Sequence, residues 1–198
     1  MAISLRLLSF ITGMVTFTPL YGQVSYKVAP GSIIQISGTS TLSDWVVKSE
    51  QISGEMSFIA SPKKVKGNEM QTGTIKDAKA ILEVSTLKSE KGETMDNKMY
   101  NALKNDTHPQ ITFVLTGPVE IQKAPAKISA VGNVQIAAVT RPLIFDLNVS
   151  YADDKFHIEG SRSLKLSDFE IQPPTAMFGQ IETGDEIVVK LNLHLLRK

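Results

Sequence analysis

Residues able to do chemistry are few and scattered in this 198-residue chain. His108, His157 and His194 are its three histidines, and it has no cysteine, which excludes disulfides, thiolate nucleophiles and zinc–thiolate sites. His157 and His194 fall on the polar phase of two strand-like runs. Were those strands neighbours, the pair would supply two ligands to a metal, one short of a protein-held site. His108 precedes Pro109, which biases it to extended backbone at the entry to a strand. The carboxylates lie on polar phases, and the adjacent pairs Asp153-Asp154 and Asp185-Glu186 read as turn formers. A serine nucleophile elbow, a phosphate-binding glycine loop and an HExxH helix are all missing. The sequence therefore nominates no catalytic residue, no metal ligand and no cofactor.

What remains is apolar recognition. From Thr94 to Lys104 the chain reads TMDNKMYNALK, and Met95, Met99 and Leu103 recur every four residues on one helical face. Thr94 is the expected N-cap, Asp96 suits the first turn, and Asn105-Asp106 with Pro109 ends the helix. Methionine is unbranched and polarizable, so this face either fills a core or fits a flexible ligand.

Around this helix the chain alternates with period two, the mark of half-buried strands. Leu143, Phe145, Leu147, Val149 and Tyr151 share one face, with Asp146, Asn148 and Ser150 opposite. Phe156, Ile158, Gly160, Leu164 and Leu166 form a second face, interrupted by Arg162, and Ile187 to Leu195 a third. Ile128, Ala130, Val134, Ile136 and Ala138 form another, as do Ala78, Ala80, Leu82 and Val84. With shorter runs at Ile34-Ile36, Trp45-Val47, Ile52-Phe58 and Ile111-Leu115, about eight strands joined by short turns are expected. The fold class is all-β, an antiparallel sandwich or closed barrel, because parallel strands need crossover helices that this chain lacks. Two longer connections, Ser61–Gly73 and Leu166–Asp185, lie outside the strands. The second carries Pro173-Pro174 and Met177-Phe178 and reads as a lip at one end of the sheet.

Met1–Gly22 has the order of a secretory signal, with Arg6, an apolar run from Leu7 to Leu20, and a turn-like Tyr21-Gly22. The run falls short of the ~20 apolar residues of a bilayer span. The expected organisation is a signal peptide over 1–22 and one β-domain over 23–198, periplasmic or secreted. Cleavage after Gly22 removes Arg6 alone among charged residues and takes the formal net charge from +1 to neutral. A neutral chain without a basic patch is not a nucleic-acid binder.

Several stretches together resemble the YceI-like polyisoprenoid-binding family. They are GNVQIAAVTRPLIFDL (Gly132–Leu147), THPQITFVLT (Thr107–Thr116), LKLSDFEI (Leu164–Ile171) and GDEIVV (Gly184–Val189). GTSTLSDW (Gly38–Trp45) and GEMSF (Gly54–Phe58) stand in the place of the family's first strands. Glu170 occupies a position where that family commonly has glycine. The resemblance implies an extended lipocalin-like barrel of about eight antiparallel strands, with the helix near its mouth and an isoprenoid chain inside. It implies binding, transport or sequestration of a quinone or prenyl phosphate, without enzymatic chemistry. The residues expected to contact the lipid are Met95, Met99 and Leu103 on the helix, with Phe113, Phe145, Leu147, Phe156 and Leu191 inside the barrel. Arg141 and Arg162 are candidates for a charged head group at the mouth. Ala78, Ala80, Ala130, Gly132, Ala138 and Gly160 are the small residues expected to leave volume. Transient contact with a membrane surface and a homodimer are both left open. The competing reading is a filled β-domain with an envelope structural or protein-interaction role, exposing Val46, Ile81 and Ile144 on an outer face.

Overall fold

Period-two patterning produces strands wherever it occurs, and the ladder between them decides the architecture. A computed structural model describes residues 22–60, 72–122 and 125–198. The signal segment before Gly22 and most of the Ser61–Gly73 connection lie outside the described residues. The strands are β1 (Gln23–Val28), β2 (Ile33–Ser40), β3 (Trp45–Ser49), β4 (Ile52–Ala60), β5 (Gly73–Glu83) and β6 (Lys88–Ser89). After the helix α1 (Glu93–Ala102) come β7 (Gln110–Leu115), β8 (Val119–Ile121), β9 (Ala126–Ile136), β10 (Val139–Ala152), β11 (Lys155–Lys165), β12 (Thr175–Ala176) and β13 (Ile181–Arg197).

Many of these segments are halves of longer strands. β1 and β2 both run antiparallel to β13, with Val28 opposite Leu195 and Ile33 opposite Asn192. Likewise β3 pairs β2 while β4 pairs β1, and β7 and β8 both pair β5. Joined in this way the segments make a closed antiparallel barrel of eight strands, sealed where β13 meets β1 and β2. Closure leaves the barrel no free sheet edge along that seam.

Hydroxyl groups repair the breaks. Ser32 is 1% exposed, yet its Oγ donates to the Ala29 carbonyl at 2.8 Å and accepts from the His194 amide at 3.0 Å. It thereby replaces ladder bonds lost where β1 gives way to β2. Ser49 does the same between β3 and β4, where its Oγ accepts the Gln51 amide at 3.1 Å and lies 2.7 Å from Thr86 Oγ1. Ser32→Ala should cost about 1–3 kcal/mol in urea unfolding, because it strands the His194 N–H, while the Ala29 carbonyl keeps the Ser32 amide. A loss below a few tenths would show that water repairs the break instead.

The helix starts one residue earlier than its expected cap. Gly92, with φ 85, is the N-cap, and no side chain caps the turn. Thr94 is displaced from that role because the β6–α1 turn needs a positive φ, which glycine adopts without strain. Asp96 is the helix anchor: 4% exposed, it accepts the Ser89 amide at 2.7 Å and pairs with Lys88 at 3.5 Å. Tyr100 completes the clamp, with its hydroxyl 2.8 Å from the Leu87 carbonyl. α1 is thus held to β6 by polar bonds while Met95, Met99 and Leu103 turn to the barrel interior.

Turns follow sequence chemistry in part. Asp153 and Asp154 have φ 52 and 59, the mirror-image turn that joins β10 to β11 tightly. Ala138 sits on the exposed β9–β10 turn after Ala137 (φ 51), so it contributes no interior volume. Glu170 takes φ 55 at the end of the 3-10 turn after β11, a conformation that glycine adopts at less cost.

Candidate ligand cavity

The inward phases of the strands do not meet in one core. They form two clusters of buried residues at opposite ends of the barrel. In the first, the Phe156 ring lies 4.8 Å from Tyr26, 5.1 Å from Phe58 and 4.7 Å from Tyr151. Tyr151 donates to the Asp154 carboxylate at 2.8 Å and lies 3.4 Å from the Tyr26 hydroxyl, and burial pushes its phenol well above the usual tyrosine range. This aromatic group plugs one end. The second cluster gathers Leu82, Leu87, Leu103, Ile136, Leu164 and Phe169 beneath α1.

Between them lies a cavity of about 280 Å³, near the lower end of ordinary small-molecule sites. Its wall is almost wholly aliphatic and aromatic: Ile36, Met56, Ala78, Ala80, Ala130, Phe145, Leu147, Val189 and Leu191 are among the lining residues. Apolar lining positions on β13 run from Ile187 to Leu195, with Thr183 beyond them at the other end of the strand. At ~3.4 Å rise per residue and ~40° tilt, that stretch is about 20 Å along the barrel axis. Two charged residues border the lining, Glu55 and Lys79. Lys198, 3.0 Å away, holds the Glu55 carboxyl below the usual carboxylate range and ties it at the surface. The lining can exclude water and solvate a hydrocarbon; it offers no ion pair to a buried charge.

Most of the expected contact residues converge on this space. Met95, Met99, Leu103, Phe113, Phe145, Leu147 and Leu191 all line it. Phe156 does not: at 1% exposed it is spent on the plug, packed by aromatic rings on three sides. Both arginines are exposed. Arg141 donates from Nε to the Asp168 carbonyl at 2.8 Å, pinning the turn after β11 to β10. That turn is also held by Asp185, whose carboxyl accepts the Ser167 amide at 2.7 Å and hydroxyl at 2.6 Å and is lowered by those bonds. Arg162 has the inward phase of its strand but lies where β10 and β11 part. Their pairing ends at Leu147–Gly160, while β11 keeps pairing β13 down to Lys165. Without a neighbour on that side, the Arg162 side chain reaches solvent.

Two of the small residues act opposite to expectation. The Phe113 ring lies over Gly132, and a Leu147 methyl lies over Gly160, each where a Cβ would stand. These glycines admit a neighbour's bulk and leave no void; the volume comes from Ala78, Ala80 and Ala130. Phe113 in turn meets Phe145 edge-on at 5.6 Å. Sequence reasoning did not place Trp45 at the site. It lines the cavity over Gly38 and donates from Nε1 to the Thr39 carbonyl at 3.0 Å. No local pattern points to it, because only the register makes Gly38 the cross-strand partner of Trp45.

His157 and His194 are direct neighbours across β11 and β13, and their rings stack at 4.6 Å. His157 Nε2 lies 2.9 Å from Asn192 Oδ1 and 3.4 Å from Glu159. Among the described residues no group of three or more histidines and carboxylates is placed to hold a metal ion. On the outer wall Ile144 is 49% exposed and faces Val131 across the ladder, whereas Val46 and Ile81 are half-buried.

The YceI-like domain model matches residues 25–195. The fold resembles a polyisoprenoid binding domain from Saccharophagus degradans implicated in plant cell wall breakdown, at TM-score 0.64 and 11% identity. That match covers 88% of this chain and 99% of the other. BcnA of Burkholderia cenocepacia matches at TM-score 0.60 and 17% identity, covering 82% and 95%. The YCEI protein of Campylobacter jejuni matches at TM-score 0.50 and 19% identity, covering 70% and 87%. No curated protein sequence matches this chain.

Proposed function

This chain belongs to the YceI-like domain family, and on that premise we propose that its barrel binds the apolar tail of an isoprenoid lipid and carries or sequesters it without covalent chemistry. The observation that carries this reading is the gap between the two core clusters: an apolar space that the protein's own side chains leave unfilled. A tail there exchanges water for hydrocarbon along its length. Burying some 20 methylenes is worth roughly 16 kcal/mol gross. Chain ordering reduces this to about 6 kcal/mol net at ~0.3 kcal/mol per heavy atom. Such a complex forms and releases without a chemical step, as a carrier requires. Lys79, the one cation bordering the lining among the described residues, is exposed, which favours a neutral head or one left outside the barrel. The residues proposed to touch the tail are Met95, Met99, Leu103, Phe113, Phe145, Leu147 and Leu191. The segment Met1–Gly22 supports a place of action in the periplasm or outside the cell.

The test is native purification from a bacterial host, organic extraction and mass spectrometry, which should return a prenyl lipid in stoichiometric amount. Trp45, the single tryptophan, lines the cavity and gives an independent readout. Added farnesol should change its emission saturably. No extracted lipid together with no response to farnesol would rule out the carrier.

A further inference from the structure

Leu42, Met177 and Phe178 are 72%, 65% and 109% exposed, well above every other exposed large apolar side chain among the described residues. They belong to two segments that are tied together. The Thr41 amide donates to the Glu182 carbonyl at 3.0 Å, and the Glu182 amide donates back to Thr41 Oγ1 at 3.2 Å. The β6–α1 turn joins them through Lys91, which donates to Ser43 Oγ at 2.6 Å, and α1 through Lys98, which reaches the Thr175 carbonyl at 3.4 Å. The three apolar tips therefore stand on one rim.

That rim is the open end of the cavity. The lining reaches Pro174 and Thr183, which flank the Met177-Phe178 turn, and Met95 at the start of α1. The turn holds its tips out by strain: Met177 has φ 49 and Phe178 φ 55, values that side-chain-bearing residues seldom adopt.

We propose that this rim is a membrane-docking surface: Leu42, Met177 and Phe178 insert into a bilayer and set the mouth of the cavity against the lipid. The proposal rests on the lipid-binding reading, since a tail soluble only in a bilayer must be collected at one. Charge does not drive the contact. Lys91 and Lys98 bond to neutral oxygens, and the exposed Asp44, Glu93 and Glu182 lie on the same segments. The partner is therefore a bilayer met through its hydrocarbon, and docking needs no anionic lipid.

The natively purified protein, freed of Met1–Gly22, should co-float with phosphatidylcholine vesicles equally at low and high salt. The double variant Met177→Ser with Phe178→Ser should reduce the floated fraction at least about tenfold, and Leu42→Ser alone should reduce it less. Farnesol titration of Trp45 without vesicles should be unchanged in every variant. Wild-type protein that stays with the soluble fraction, variants that float as well as wild type, or flotation that needs anionic lipid and vanishes in salt would each overturn the docking surface. A chain that floats as expected but never responds to farnesol would retain the docking surface and remove the lipid-filled cavity.

Discussion

Phe156→Ala should lower the unfolding free energy by about 3–5 kcal/mol, a large share of the ~5–15 kcal/mol that holds a domain of this size together. The ring sits 1% exposed among Tyr26, Phe58 and Tyr151, and it belongs to the strand that pairs β13 at the closed end. Its removal leaves a hole that rigid aromatic neighbours cannot close, so the transfer loss and the cavity loss add. Phe145→Ala makes the matched comparison. That ring is half-buried against the hollow and already lacks partners on one side, so its loss should cost clearly less. Urea titrations read both values from the midpoint at constant slope. Equal costs would show that the plug and the wall are packed alike, and the division of the core into two clusters would fall.

Ala130→Phe should do the reverse, sparing stability and removing binding. Ala130 is 4% exposed in the protein yet lines the hollow, so a larger side chain grows into empty space. An obstruction there denies the tail roughly eight carbons of its path. At ~0.3 kcal/mol net per heavy atom that is ~2.4 kcal/mol, or about 50-fold in affinity. Met99→Trp, placed on α1 nearer the mouth, should weaken uptake in the same direction. The readout is lipid recovered per protein after native purification, with the thermal midpoint as the control for folding. Full lipid occupancy in a stably folded Ala130→Phe variant would place the tail elsewhere on the molecule.

The contact set divides along a physical line. Leu147, Phe145 and Leu191 were legible because alternation is a local property: neighbouring side chains on a strand must point to opposite faces, whatever the strand pairs with. Met95, Met99 and Leu103 were legible for the same reason at helical spacing. Phe156 has the same phase as the lining residues and differs only in depth along the barrel axis, which no local pattern records. Arg162 also shares the inward phase, and it reaches solvent only because β10 and β11 separate beside it. The glycines Gly132 and Gly160 looked like sources of space until the register put Phe113 and Leu147 over them.

Composition and period by themselves determined an all-β chain of about eight strands, one short amphipathic helix, and the absence of thiol chemistry. They determined, too, which face of each strand is apolar, because water enforces that choice residue by residue. Period left a sandwich or a barrel, and the family resemblance pointed to the barrel that the structure shows; tertiary structure alone decided that hydroxyls bridge its broken strands and that its core splits into two ends around a hollow. A void belongs to no residue: it is the volume left when every cross-strand neighbour has been placed, and only the register places them.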